Sequence, residues 1–353
     1  MPTLPSYAEL HCVSNFSFLR GASHPEELIE RACELGYRAL ALTDECSVAG
    51  AVRAHIEARN RNFKLIIGSE LRLVDGPRLV LLATNREGYG NLSDLITRAR
   101  RAATKGTYQL RCDDLAVAVP DCLALLIPDD KLDPQAIQWL ARSFAGRAWL
   151  AVELLRGADD RSRLRELQHL AAEYGLPLTA AGDVHMHCPT RRALQDTLTA
   201  IRLGIPVQQA GHHLHPNAER HLRGREALAR LYPPELLAES VRIAERCRFS
   251  LEELRYEYPH ELVPEGETPT THLRALVEAG MRERWPDGVP ATVRKQVEHE
   301  LRLIAELDYE PYFLTVHDIV RFAKDRNILC QGDRKSTRLN SSHMSESRMP
   351  SSA

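Results

Sequence analysis

Between about residues 8 and 255, short and almost wholly apolar runs alternate with amphipathic segments of helical period. The runs 38–44 (RALALTD), 64–71 (KLIIGSEL), 77–85 (PRLVLLATN), 122–128 (CLALLIP), 148–155 (AWLAVELL) and 176–186 (LPLTAAGDVHM) read as strands. Helical segments interleave them, such as 50–62, 87–103, 161–175 and 190–204. Strands buried on both faces lose the polar alternation of a half-exposed sheet, and repeated strand-then-helix units specify parallel pairing. A parallel sheet, doubly wound or closed into a barrel, is therefore expected over residues 1–255.

Beyond residue 256 the texture changes. A Pro- and Glu-rich connection (256–270) leads into helical segments at 271–285, 291–309 and 311–327, with no strand alternation. This reads as the start of a second, helix-rich domain over 256–332. Residues 333–353 hold seven serines and almost no apolar side chain. They back-translate into a sequencing-library adapter, so this stretch reads as a fused artefact and a disordered tail. Without it the net charge moves from −2 to −4, from 42 basic and 46 acidic residues. No apolar run approaches the roughly 18 residues a membrane helix needs. The eight cysteines are scattered without paired short spacing, which argues against a zinc ribbon or a disulfide framework and for a cytoplasmic location.

In such a fold, chemistry collects where strands end. Those positions carry His11, Asp44 with Glu45, Glu70, Arg78 at a strand start, Cys122, Glu153, and Asp183 with His185. Carboxylate and imidazole mixtures suit Zn²⁺, Mn²⁺ or Fe²⁺, and a multi-metal site would clamp a phosphoryl oxygen and activate water. Taken singly, each has a plainer explanation: a strand-end Asp caps or turns, and a His forms hydrogen bonds. His11 would share a face with the residue two positions on, and that residue is Val13. The histidine-rich stretch 211–224 reads as a loop, and the basic run 98–103 as a solvated helix face.

The motifs ELHCVSNFSFLRGAS, ALTDECSVAGAV, LIIGSELRLV, LVLLATNREGYGNL and AAGDVHMHCPTRRALQDTLTAIRLG, in this order, resemble the polymerase-and-histidinol-phosphatase (PHP) domain of bacterial C-family DNA polymerases. The match is nearest to the error-prone branch and extends through NAERHLRG and PYFLTVHDIVRFAKDRNILCQG. The resemblance implies a PHP-type (β/α)7 barrel over 1–255, followed by the truncated start of a polymerase palm over 256–332. Gly332 would open a phosphate-holding loop for the incoming nucleotide. The catalytic aspartates and their Mg²⁺ ions would lie further on, so this segment would carry no polymerase catalytic residue.

The resemblance also assigns a ligand set for Zn²⁺ or Mn²⁺: His11, Asp44, Glu70, Cys122, Asp183 and His185, with Glu45 as an added oxygen donor. Val13, Glu45 and Arg78 stand where the family pattern has histidines. Val13 has no lone pair, and Arg78 cannot deprotonate, so the metals are expected to be absent or partial. Arg78 would instead neutralise Asp44, Glu45 or Glu70. The implied partners are DNA, deoxynucleoside triphosphates and translesion accessory proteins, with no membrane. A metal-dependent phosphoesterase or 3′–5′ exonuclease within the barrel is the alternative, and a free-standing phosphatase is a third reading.

Overall fold

The computed structural model describes residues 4–115, 119–129, 133–254 and 263–329. The chain divides into two units, Met1–Leu254 and Arg255–Ala353.

The first unit is built on seven strands: β1 (Ala8–Cys12), β2 (Ala39–Leu42), β3 (Leu65–Arg72), β4 (Arg78–Ala83), β5 (Cys122–Ile127), β6 (Ala148–Val152) and β7 (Leu178–Ala180). Between and after them lie α1 (Pro25–Glu34), α2 (Ala51–Asn60), α3 (Arg86–Arg101), α4 (Pro134–Ser143), α5 (Asp160–Tyr174), α6 (Arg192–Leu203), α7 (Val207–Ala210), α8 (Arg225–Leu231) and α9 (Pro234–Arg246). Local chemistry sets several helix starts. Pro25 occupies the first turn of α1, where a missing N–H costs nothing, and the Glu27 carboxylate accepts from the His24 N–H at 2.9 Å. Asn85 caps α3 by accepting from the Gly88 N–H at 2.9 Å.

The strands pair in sequence order from β1 to β7. Past β7 the chain runs beside β1: Val184 N–H donates to the His11 carbonyl and Val13 N–H to the Val184 carbonyl, both at 2.9 Å. The sheet thereby curls into a nearly closed seven-stranded barrel. The expectation of an all-parallel sheet needs one correction, because β4 is antiparallel to both β3 and β5. Only residues 73–77 separate β3 from β4. A five-residue link is too short for a crossover helix and permits only a hairpin.

Period-two alternation sorts the side chains. Ala39, Ala41, Ile66, Val80, Leu82, Leu123, Leu125, Ile127, Trp149, Ala151 and Ala181 form one buried cluster inside the barrel, joined by Ile243 and Ala244 of α9. Their neighbours Leu79, Leu81, Cys122, Ala124 and Leu126 instead pack outward among side chains of α3 and α4. Along the interior rows the next positions are Glu70, Arg78, Glu153 and Asp183. Reversal of β4 brings its first residue, Arg78, to the rim where the parallel strands end.

The second unit contains α10 (Pro269–Arg284), α11 (Ala291–Glu306) and α12 (Glu310–Asp325). Thr268 caps α10, accepting from Thr271 N–H at 3.2 Å. Arg274 binds Glu298 through two nitrogens at 2.7 and 3.0 Å, tying α10 to α11. Thr270 donates to Glu310 at 2.7 Å, tying α10 to α12.

Candidate metal centre

The ladder between β1 and β2 slips between Glu9 and Cys12. The buried Glu9 carboxylate bridges β1 to the segment after β7, accepting from His11 N–H at 3.0 Å and Gly182 N–H at 2.9 Å. Such an irregularity re-aims a side chain. Here it delivers His11 among the rim carboxylates.

His11 is wholly buried. Its Nε2 lies 2.8 Å from Glu70 Oε2, and its Nδ1 lies 2.7 Å from Glu153 Oε1 and 3.8 Å from Asp183 Oδ1. Each ring nitrogen faces a carboxylate, so both act as donors, the pattern of an imidazolium. Burial pulls the His11 pKa down, but Glu153 and Glu70 outweigh it and the net shift is upward. Burial pushes the Glu153 carboxyl up, yet His11, with Arg78 and Arg220, brings it down to about 2. Glu70 is likewise held well below the usual carboxylate range, against its burial, by His11 and Arg20.

Three arginines complete the cluster. Arg20, from the loop after β1, donates to Glu70 at 2.9 and 3.0 Å and to Glu45 at 2.6 Å. Arg78 lies 4.0 Å from Glu70 and 3.9 Å from Glu153. Arg220, from the loop after α7, pairs with Asp183. Tyr108 donates to the other oxygen of Glu45 at 3.1 Å. His185 Nε2 lies 3.0 Å from Asp183 Oδ1, while its Nδ1 is buried without a hydrogen-bond partner among the described residues. Burial, then Arg20, pulls the His185 pKa down to about 3, so this ring is neutral.

Other candidates fall elsewhere. Asp44 accepts from the N–H and hydroxyl of Ser14, both at 2.8 Å, and from those of Ser17 at 3.1 and 2.7 Å. It organises the loop that carries Arg20 and pairs with no arginine among the described residues. Cys122 is not part of the centre. It starts β5, five positions before Ile127, which pairs with Arg78 at the rim. Its thiol faces outward and donates to the Gly88 carbonyl at 3.3 Å. Gly332 lies outside the described residues. The basic run on α3 is only partly a solvated face. Arg98 pairs with Asp94 at 2.9 Å, but Arg100 donates to the Cys46 and Glu45 carbonyls at 3.2 Å and stacks over Tyr108.

The residues that sequence reasoning missed are Arg20 and Arg220. Both sit inside stretches singled out for other reasons, the loop after His11 and the histidine-rich segment.

Residues 9–131 match the family described as PHP domain, and residues 271–338 match the bacterial DNA polymerase III alpha NTPase domain. The error-prone DNA polymerase of Methylococcus capsulatus is 61% identical over 327 residues, covering 92% of this chain and 31% of that protein. That of Pseudomonas aeruginosa is 59% identical over 329 residues, covering 93% and 32%. The chain is a homologue of part of the error-prone DNA polymerases. It spans about a third of the length of those relatives. Among solved structures, an amidohydrolase from Chromobacterium violaceum with bound sulfate and no metal aligns over 51% of this chain and 88% of its own, with 17% identity and a TM-score of 0.40.

At this barrel rim, His11, Glu70 and Asp183 bring ligand atoms within 4.8 Å of one another, close enough to share one metal ion. The surrounding groups do not fit a multi-metal centre. Val13 is buried and supplies no donor atom. Both His11 nitrogens are committed to carboxylates, and Arg20 and Arg220 already occupy Glu70 and Asp183.

Proposed function

We propose that this chain is the PHP-bearing portion of an error-prone DNA polymerase that acts in the cytoplasm on DNA and deoxynucleoside triphosphates during damage-tolerant synthesis. Identity of 61% across 92% of the chain carries this reading. In it, residues 1–255 form a structural barrel and residues 256–332 begin the palm, with Gly332 opening the phosphate-holding loop. The Mg²⁺ ions of polymerisation would be held by aspartates in the remainder of the longer protein, assisted by translesion accessory proteins. No helix among the described residues is long and apolar enough to cross a membrane.

The test is a chimera in which residues 1–332 replace the matching stretch of the Methylococcus capsulatus relative. Primer extension across a damaged template at the parental rate supports the reading. A folded chimera that does not extend primers contradicts it.

A second reading, phosphoester hydrolysis in the barrel, is favoured by the proximity of His11, Glu70 and Asp183. It predicts that the chain shortens a single-stranded oligonucleotide in the presence of Mn²⁺ or Zn²⁺. Intact oligonucleotide after prolonged incubation removes it.

A further inference from the structure

We infer that the guanidinium groups of Arg20, Arg78 and Arg220 take the place of metal ions in this centre, so that the barrel end is held together by resident side-chain cations. The inference deepens the structural reading of the barrel, and its test involves no polymerase activity.

Glu45, Glu70, Glu153 and Asp183 converge on one rim, and Glu70 and Asp183 are each only 2% exposed. Buried carboxylates at such density need compensating cations, because desolvated like charges repel with little screening. Every one of the four has a guanidinium facing it. Arg20 covers Glu45 and Glu70, Arg78 spans Glu70 and Glu153, and Arg220 covers Asp183.

Geometry adds specificity. Arg20 grips both oxygens of Glu70, at 2.9 and 3.0 Å, the planar fork that matches a carboxylate. A divalent ion bound at about 2.0–2.2 Å from Glu70 and Asp183 would have to displace the Arg20 fork and the Arg220 guanidinium or sit beside them as an unscreened like charge. Two of the three guanidiniums reach the rim from loops, and both loops are pinned independently of the cluster. The Arg20 loop is fastened by the hydrogen bonds of Ser14 and Ser17 to Asp44. The Arg220 loop is fastened to the barrel, since the Arg220 carbonyl accepts from His185 N–H at 2.9 Å.

Thermal melting of the whole chain with EDTA, Mn²⁺ or Zn²⁺ tests the inference, run on the wild type, R220A and R220K. The wild-type Tm is expected to be indifferent to chelation and to added metal. R220A, which exposes the Asp183 carboxylate beside His11 and Glu70, is expected to melt about 8 °C lower and to recover roughly half of that loss on saturation with metal. R220K keeps the charge and stays metal-indifferent. A wild-type Tm that falls with EDTA or rises with either ion overturns the inference, as does a folded R220A with no metal response. Where R220A fails to fold, the wild-type and R220K melts decide the question by the same criteria.

Discussion

Arg20, nine residues after His11 in the loop that leaves β1, holds both oxygens of Glu70, at 2.9 and 3.0 Å. This pair joins the first strand's loop to the third strand across the barrel rim. Its loss leaves a buried carboxylate facing only His11 and the more distant Arg78. R20A is expected to lower unfolding stability by about 3 kcal/mol in urea denaturation. R20K, which keeps the charge but loses the fork, falls between R20A and the wild type.

Gly21 makes the Arg20 loop possible for a steric reason. A Cβ built on it would lie 1.9 Å from the Ser14 carbonyl oxygen, a backbone atom that cannot swing aside. G21A is therefore expected to destabilise the chain by about 3 kcal/mol, measured by the same denaturation.

The histidines give the stability–pH curve a defined shape. The folded pKa of His185 is depressed to about 3 from 6.5, so the unfolded chain binds more protons between those values. Stability therefore falls as pH drops below about 6.5. Glu153, depressed to about 2, adds its loss only below its unfolded value near 4.5. The His11 pKa is raised, so its contribution is present below 6.5 and declines as pH rises through the raised value. Between pH 5 and about 6.5 the His185 slope stands apart from the carboxylate limb. H185Q is expected to reduce the slope in that interval, as read from denaturation midpoints at a series of pH values; the remainder comes from His215, which burial depresses to about 4, and from His187 and His221, both lowered chiefly by burial. An unchanged slope would remove His185 as a contributor.

Cys122 provides a contrast at the other end of β5. C122A is expected to cost about 1 kcal/mol from lost packing and to leave the metal response and the pH profile unchanged. A change in either readout would place the thiol within reach of the rim, against its outward position.

Strand-end position and period-two alternation make Glu70, Glu153 and Asp183 legible in the sequence, because each extends an interior apolar row beyond its strand. Arg78 is legible as a candidate, but its place at the rim depends on the reversal of β4, which the short 73–77 link already implies. Cys122 misleads because it begins a strand whose far end reaches the rim. Arg20 and Arg220 are not legible by periodicity, since loop residues carry no repeat. Their positions are set by partners distant in sequence, Asp44 through Ser14 and Ser17 in one case and His185 in the other. Asp44 looks like a ligand until its four hydrogen-bond donors are seen to be backbone and serine groups. The arrangement that sequence reasoning anticipated, an arginine neutralising the rim carboxylates, holds for Arg78 with Glu70 but extends to two more arginines.

The most direct measurement is the metal content of the natively purified chain, by plasma mass spectrometry for zinc, manganese and iron. The arginine-closed centre predicts substoichiometric metal in the wild type, with a bound equivalent gained by R220A after metal exposure and dialysis. A full equivalent of any of these metals in the wild type, released by mutation of His11 or Asp183, would contradict it.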